Sequence, residues 1–309
     1  MVKRIVTGAG VFVLMCVGIV FQGWVLRLML LAAMLTAMNE MYRALRQTGA
    51  KPAAWAGYVY GVLAAGLQAL SAQAPALTMD ANSARGAWLV QMAGALEGVD
   101  PAASTLTVGV LLGLTAIVAR GKVAYEDMTA TVIPMIYPGF LFSLLMTLQD
   151  LPAQAAATTA LMLAFFLASV NDVFALFVGV KFGKHRLSPE ISPKKSIEGS
   201  IGGLAASVLF AVLIGAAMNA LQTTSFTLPL FAEPSAQTTR FSLPALAVLG
   251  LVAGVFSQAG DLTASLVKRH CGVKDYGTIF PGHGGMMDRM DGVLFCTAVV
   301  WLFFHLAMV

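Results

Sequence analysis

Two polar segments of the chain, residues 171–203 and 257–292, hold the side chains best suited to chemistry. Both combine acidic residues, lysines and glycines. Carboxylates hold Mg²⁺, which usually takes one or two of them and completes its shell with waters and substrate phosphates. Lysine and arginine neutralise the remaining phosphate charge, and glycine lets the backbone approach a ligand closely. The composition of the two segments therefore predicts a site for a polyphosphate and its metal ion.

The second segment places three polar side chains at helical spacing. Asp261, Ser265 and Lys268 stand at i, i+4 and i+7, and Gln258 precedes them by about one turn. On a helix these residues share one face, which would offer a carboxylate, a hydroxyl and an ammonium group. A glycine-rich run follows at residues 281–285. We therefore expect a helix that leads into a loop able to approach a ligand.

Acidic residues also stand where the apolar runs of the chain begin or end. Asp288 and Asp291 are spaced i, i+3 at the start of the last apolar run, so both can face the same way. Ionisable residues at the membrane end of a helix are costly and are functional by default. We therefore expect Asp261, Asp288 and Asp291 to be functional. The same argument applies to Asp172, near the end of an earlier apolar run.

Other polar residues of the two segments have two interpretations each. His283 suits acid–base chemistry, and it equally suits a hydrogen bond or a phosphate contact. Glu198 either binds a ligand or caps a loop. Four cations are consistent with phosphate binding and equally with membrane topology: Lys181, Lys184, Arg186 and Lys274.

The elements that carry these segments are predicted to be membrane helices. Only 11% of the 309 residues are charged and 58% are hydrophobic, whereas about a quarter of the residues of a soluble domain are charged. An apolar run of roughly 18 residues or more can cross a bilayer as a helix. The predicted fold class is an all-α integral membrane protein with about nine transmembrane helices, at residues 5–21, 24–38, 53–71, 104–119, 129–148, 155–180, 201–221, 243–259 and 290–308.

The positive charges predict the orientation of these helices, because cytoplasmic loops carry an excess of lysine and arginine. With a cytosolic N-terminus and nine crossings, all but three of the 19 Lys and Arg residues fall on the cytosolic side. The exceptions are Arg27, Arg85 and Arg240. The C-terminus is then outside, and both polar segments face the cytosol. This topology accounts for most of the net charge of +4, and anionic lipid headgroups are the expected neighbours of the basic residues. The charge therefore predicts no nucleic-acid partner.

The predicted helices fall into two regions. Residues 1–150 form about five N-terminal transmembrane helices, and residues 151–309 form a transmembrane catalytic region with cytosolic loops at 181–200 and 260–289. The three cysteines have no paired or metal-binding spacing, so we expect neither a disulfide nor a zinc site. The chain contains no Walker-type sequence, which argues against a P-loop enzyme.

The run from residue 265 to residue 291 resembles the signature of phosphatidate cytidylyltransferases, also called CDP-diacylglycerol synthases. Its matching residues are Ser265, Lys268-Arg269, Lys274-Asp275, Pro281, His283-Gly284-Gly285, Asp288-Arg289 and Asp291. The earlier segment resembles the same family through Asn171-Asp172, the run 182–185 and the run 192–203. It departs from the family at Leu176, Ser196 and Ile197, where tyrosine, threonine and tryptophan are usual.

The resemblance implies an enzyme that converts CTP and phosphatidic acid to CDP-diacylglycerol and pyrophosphate for phospholipid biosynthesis. It implies a homodimer in the inner (plasma) membrane, in contact with membrane lipids, whose active site faces the cytosol. The implied cofactor is Mg²⁺, alone or with a monovalent cation, held by Asp261 and Asp288. The implied catalytic residues are Asp261, Asp288, Asp291, Lys268 and Arg269. The implied binding residues are Lys194, Lys195, Ser265, His283, Gly284, Gly285, Arg289 and Asp172.

Three alternatives stay open from the sequence. A membrane lipid kinase related to polyprenol or dolichol kinases would transfer the γ-phosphoryl group and give a phospholipid instead of a CDP-lipid. A transporter would carry acidic residues near the middle of its helices, whereas here the acidic residues collect at one side of the membrane. A catalytically altered member of the family is the third alternative, because of Leu176 and Ile197.

Overall fold

The computed structural model describes residues 2–79, 101–121, 124–223, 240–280, 282 and 284–307. These residues are mainly helical, which confirms the all-α class. The helices are α1 (Val2–Phe21), α2 (Gly23–Arg46), α3 (Ala54–Met79), α4 (Pro101–Val118), α5 (Tyr125–Pro134), α6 (Leu141–Thr147), α7 (Gln154–Phe182), α8 (Ile197–Thr223), α9 (Leu243–His270) and α10 (Met287–Ala307).

Seven helical stretches in this described part are long and apolar enough to cross a membrane. They are Gly23–Arg46, Pro101–Val118, Tyr125–Asp150, Gln154–Phe182, Ile197–Gln222, Leu243–His270 and Met287–Leu306. The other two predicted spans coincide with α3 and with α1, whose apolar part is Phe12–Phe21. A multi-pass membrane protein is therefore confirmed. The count of nine crossings and the sides on which the two termini lie remain predictions.

The stretch Tyr125–Asp150 is one membrane-length span with an interruption. Pro134 and Pro138 lie within it, and α5 passes into α6 through a π-helical segment, Met135–Phe140. Proline has no N–H to donate and its ring crowds the preceding turn. Tyr137 accordingly has φ −130° and ψ 108°, outside the helical region. The two prolines account for the kink in this span.

The helices pack as two units. Residues 23–150 form one unit, and residues 1–22 with 151–309 form the other, which we call the C-terminal unit. In the first unit the Tyr42 hydroxyl donates to the Thr131 carbonyl oxygen at 3.0 Å. Arg27, one of the three cations expected outside, is buried there in an ion pair with Asp150. The first helix, α1, packs with the helices of the C-terminal unit.

Glycines let the helices of the C-terminal unit approach closely. A Cβ at Gly199 would lie 2.6 Å from the Ala175 carbonyl oxygen, so α7 and α8 meet nearly backbone to backbone. A Cβ at Gly260 would lie 2.5 Å from the Asp291 carbonyl oxygen, where α9 crosses α10. Small residues serve the same purpose at helix crossings in other membrane proteins. Here they bring polar side chains from different helices within contact.

A buried polar network ties α7, α8 and α9 together. The Asn171 amide donates to Ser207 Oγ at 2.9 Å and to the Gly254 carbonyl at 3.2 Å. Gln258 Nε2 donates to Asn171 Oδ1 at 3.0 Å and to the Ser200 carbonyl at 3.1 Å. The Ser200 hydroxyl donates a hydrogen bond to Gln258 Oε1. Interhelical hydrogen bonds of this kind contribute about 0.6–2 kcal/mol each in membranes. The network fixes α7 and α8, which carry the first polar segment, to α9, which carries the start of the second.

The middle of the first polar segment folds into a short antiparallel hairpin between α7 and α8. Strand β1 (Arg186–Ser188) pairs with β2 (Ser192–Ser196), with Arg186 opposite Ser196. The Gly199 N–H donates to Ser196 Oγ at 3.1 Å, which caps the N-terminus of α8. Serine therefore keeps the hydroxyl that threonine would supply at this position. The sequence predicted a polar loop here and gave no sign of strands.

The close crossing of α9 and α10 gives a test of the packing. Gly260→Ala places a methyl group against the Asp291 backbone and 3.0 Å from the Phe295 ring, so the helices must separate. We expect a loss of about 1–3 kcal/mol of stability, measured as a lower melting temperature in detergent. Gly66→Ala is the control, because a Cβ there meets nothing within 4 Å. Equal melting temperatures for the two variants would contradict the close crossing.

Candidate active site

The hairpin and the neighbouring parts of α7, α8 and α9 enclose a cavity of about 470 Å³, which we call the polar cavity. Four residues predicted for the site line it: Asp172, Lys194, Lys195 and Asp261. Arg186 and Gln258 add a cation and an amide, while Leu176, Val180 and Leu187 form an apolar wall. The polar cavity therefore combines cations and carboxylates with a hydrophobic surface.

An ion pair between Lys195 and Asp261 crosses the polar cavity and joins β2 to α9. The two side chains remain 27% and 25% exposed. Because both groups stay in contact with solvent, a charged ligand can reach either of them. Partly exposed pairs contribute little to stability, so exchanging one partner for a ligand costs little.

A second cavity of about 510 Å³ lies among α1, α7 and α10, and we call it the aromatic cavity. Its apolar lining includes Phe12, Met15, Phe166, Val170, Val173 and Phe174. The Phe12 and Phe166 rings contact each other with their centroids 5.3 Å apart. Its polar lining consists of Ser169, Asp172, Asp288, Arg289 and Asp291. This cavity thus combines a hydrophobic wall with an arginine and three acids.

Asp172 belongs to the lining of both cavities. It interacts electrostatically with Asp261, Lys195 and Arg289. Asp261 and Asp172 also interact electrostatically with Asp291, whose Oδ1 accepts the Gly292 N–H at 2.8 Å. We call Asp172, Asp261 and Asp291 the acid cluster. The structure thereby brings together three predicted site residues that lie up to 119 positions apart in the chain, at 172, 261 and 291.

Asp288 lies beside the acid cluster but has its own partners. Lys268 Nζ donates to its Oδ1 at 2.7 Å, and the N–H groups of Tyr276 and Gly285 donate to its Oδ2 at 2.8 and 3.0 Å. Only 4% of the Asp288 side chain is exposed. The carboxylate therefore fastens the glycine-rich loop to α9 and α10.

The glycine-rich loop has the backbone shape that only glycine adopts easily. Gly282 and Gly284 have φ of +78° and +84°, a region that other residues rarely enter. The Phe280 N–H donates to the Gly284 carbonyl at 3.0 Å and closes the turn. Gly285, also predicted for the site, is held through its N–H by Asp288. His283 lies outside the described residues.

Tyr276 is a contact residue of this loop that the sequence did not single out, because one aromatic residue among polar ones has no distinctive spacing. Its hydroxyl donates to the Ala264 carbonyl at 3.1 Å, and Lys268 Nζ lies 5.5 Å from its ring centroid. Burial raises the pKa of Tyr276 above its ordinary value, and Cys271 and Asp288 raise it further. Tyr276 therefore stays protonated and acts as a hydrogen-bond donor.

The other predicted residues are less central. Ser265 is half-buried on α9 and Arg269 is exposed in its last turn, and neither belongs to the lining of the two cavities. Gln258 and Asp261 of the predicted polar stripe face the polar cavity, whereas Lys268 turns to Asp288. The sequence also missed the α1 side chains in the aromatic cavity, since no spacing reveals a contact between helices so far apart in the chain.

The Lys268–Asp288 pair gives the second prediction. Lys268→Met leaves a buried carboxylate without its cation, which typically costs about 3–5 kcal/mol. We expect a clear drop in melting temperature in detergent. Adding Asp288→Asn to the same chain removes the unpaired charge and should recover part of the loss. Lys274→Met, at an exposed lysine of the same loop, is the control. A Lys268→Met protein as stable as this control would refute the pair.

Comparison with known proteins places these residues in a family context. A sequence profile of the cytidylyltransferase family matches residues 2–307. The phosphatidate cytidylyltransferase of Thermotoga maritima is 35% identical over 183 residues, which cover 59% of this chain and 61% of that protein. The phosphatidate cytidylyltransferase of Bacillus subtilis is 32% identical over 200 residues, covering 64% of this chain and 66% of that protein. The alignments thus span less than two thirds of each relative.

Proposed function

Because the chain belongs to the cytidylyltransferase family, we propose that it transfers a cytidylyl group from CTP to phosphatidic acid, forming CDP-diacylglycerol and releasing pyrophosphate. One observation carries the proposal: a cavity rich in cations and a cavity rich in apolar side chains share Asp172 in their walls. A water-soluble polyphosphate and a lipid phosphate need two such environments. They also need a common border where their phosphates can meet.

The polar cavity is the proposed nucleotide site. Arg186, Lys194 and Lys195 supply three positive charges for a triphosphate, and charge-assisted hydrogen bonds to phosphate are about twice as strong as neutral ones. The apolar wall at Leu176 and Leu187 suits the face of a pyrimidine ring. The volume of the polar cavity, about 470 Å³, lies within the range of about 300–1,000 Å³ common for ligand pockets.

The aromatic cavity is the proposed site for phosphatidic acid. Its wall, which includes Phe12, Val173 and Phe174, suits an acyl chain or the glycerol backbone. Arg289 opens to the same cavity, and a guanidinium fork matches the geometry of a phosphate. Because α7 and α10 are long and apolar enough to cross a membrane, a lipid could enter this cavity without leaving its leaflet.

The proposed reaction is an in-line displacement at phosphorus. A phosphate oxygen of phosphatidic acid forms a bond to the α-phosphorus of CTP, and the bond from that phosphorus to the oxygen bridging to the β-phosphorus breaks. The nucleophile is already anionic, so no general base is required. Lys195 and Arg186 neutralise the departing pyrophosphate, and Arg289 orients the lipid phosphate. Catalysis of this kind rests on positioning and on charge stabilisation.

The carboxylates fit Mg²⁺, which we propose as the cofactor, alone or with a monovalent cation. Hard oxygen donors suit this ion, and when bound it would stabilise negative charge on the phosphoryl oxygens. No group of three His, Cys, Asp or Glu in the described part of the chain already has the arrangement of a metal site. Two acids and substrate oxygens are enough for Mg²⁺. Asp261 and Asp288 remain the proposed ligands, although Asp288 already accepts three hydrogen bonds.

We further propose that the chain lies in the inner (plasma) membrane with both cavities facing the cytosol, and that it forms a homodimer. The distribution of lysine and arginine along the sequence supports this orientation. The resemblance of the two polar segments to the family supports the dimer and the membrane. CTP then arrives from the aqueous side, and phosphatidic acid from the bilayer.

Position-specific labelling of CTP tests the reaction. Purified protein is incubated with phosphatidic acid and CTP labelled at either the α- or the γ-phosphorus, with and without Mg²⁺. We expect only the α-label to enter the lipid fraction, and only with Mg²⁺. Asp261→Asn should lower the rate on the order of 100-fold or more. Glu190→Gln, in the exposed turn of the hairpin, should not change it.

Two outcomes would contradict the proposal. Entry of the γ-label into lipid would indicate a lipid kinase. Entry of neither label, with a folded protein of unchanged melting temperature, would refute the transferase.

A further inference from the structure

We propose that Glu198 is a positioning residue that holds the hairpin of β1 and β2 over the polar cavity and so sets the affinity for the nucleotide. Glu198 belongs to the first turn of α8. It lines neither cavity, so it acts through the hairpin and not on the ligand. The nature of the ligand rests on the proposed function, but the mechanical role of Glu198 does not.

Both carboxylate oxygens of Glu198 are engaged by the residues that lead into the hairpin. The Lys184 N–H donates to Oε2 at 3.0 Å. The His185 N–H lies 3.2 Å from Oε2 and 3.3 Å from Oε1, and His185 Nδ1 lies 2.6 Å from Oε1. The Ile197 N–H returns a bond to the His185 carbonyl at 2.9 Å. These bonds favour the loop-capping role of Glu198 over the ligand-binding role.

The position of Glu198 in α8 suits this capping role. A carboxylate in the first turn of a helix is stabilised by the helix dipole. Its bonds to backbone N–H groups are charge-assisted, and such bonds are about twice as strong as neutral ones. The same turn is capped by Ser196. The N-terminus of α8 is therefore a fixed point to which the start of the hairpin is attached.

The hairpin depends on such an attachment because it is small. Its strands have 3 and 5 residues, and an isolated two-stranded hairpin is marginally stable at best in water. Arg186 directly follows His185, which is hydrogen-bonded to Glu198, and pairs with Ser196 across the hairpin. Loss of the hydrogen bonds to Glu198 would free the strand that carries Arg186. It would thereby loosen the opposite strand, which carries Lys194 and Lys195.

A kinetic comparison tests the positioning role. We expect Glu198→Ala to raise the KM for CTP by about tenfold, the size of effect from losing a hydrogen bond to a charged group, and to leave the KM for phosphatidic acid within about twofold. Glu198→Gln keeps an oxygen that can accept the backbone N–H groups, so it should recover most of the CTP affinity. Glu190→Ala, at the exposed turn of the same hairpin, is the matched control and should behave as the parent protein.

Hydrogen exchange provides a readout that does not depend on turnover. The amides of Lys184 and His185 should exchange slowly in the parent protein and in Glu190→Ala. They should exchange faster in Glu198→Ala, while the amides of α9 and α10 keep their protection. A general loss of folding would instead raise exchange throughout the C-terminal unit, and the comparison would then use Glu198→Gln, for which we expect slow exchange at both amides.

The outcomes separate this inference from the proposed reaction. Unchanged hydrogen exchange at the amides of Lys184 and His185 in Glu198→Ala would overturn the positioning role of Glu198, whatever the enzyme's activity. Equal increases in both KM values would overturn its specific effect on the nucleotide site, and fast exchange in Glu198→Gln would overturn the role of its acceptor oxygen. If the parent protein proved inactive with both substrates, the proposed transferase function would be refuted. Faster hydrogen exchange in the hairpin of Glu198→Ala would still support the positioning role of Glu198.

Discussion

A carboxylate at the end of a membrane helix must have a cation or hydrogen-bond donors beside it, because an isolated buried charge is very costly. The C-terminal unit meets this requirement at Asp288, Asp261 and Asp291. Asp288 receives the Lys268 ammonium group and two backbone N–H groups. Asp261 pairs with Lys195, and Asp291 accepts a backbone N–H. Glycines at the helix crossings, such as Gly260, make these contacts possible.

The same requirement explains how the proposed site would bind a polyphosphate. The cations that balance the acids would bind the phosphate oxygens of the proposed nucleotide, which would leave the acids available to the proposed metal ion. The Lys195–Asp261 pair is partly exposed to the polar cavity and can exchange its partners. The Lys268–Asp288 pair is more buried and holds the loop in place. We therefore assign ligand exchange to the first pair. The second pair supports the loop, and from this fixed position Asp288 would serve as the second proposed metal ligand.

The sequence predicted much of this arrangement, and the remainder depends on contacts between distant residues. Apolar runs located the helices, and the spacing of Gln258, Asp261 and Lys268 placed them on one helix, α9. That spacing could not reveal that Lys268 turns to Asp288, since the partner comes from another helix. Composition predicted a loop where the hairpin forms, because neither strand has the length or alternation that indicates a strand. The contact of α1 with α7 left no local signal at all.

In the proposed mechanism, two substrates occupy two cavities joined at Asp172. A structure of the protein with phosphatidic acid, Mg²⁺ and a CTP analogue whose α,β-bridging oxygen is replaced by a methylene group tests it most directly. We expect the nucleotide phosphates to lie against Lys194 and Lys195 and the lipid phosphate beside Arg289, with the α-phosphorus at the acid cluster. A nucleotide bound outside the polar cavity, or both ligands bound within one cavity, would contradict it.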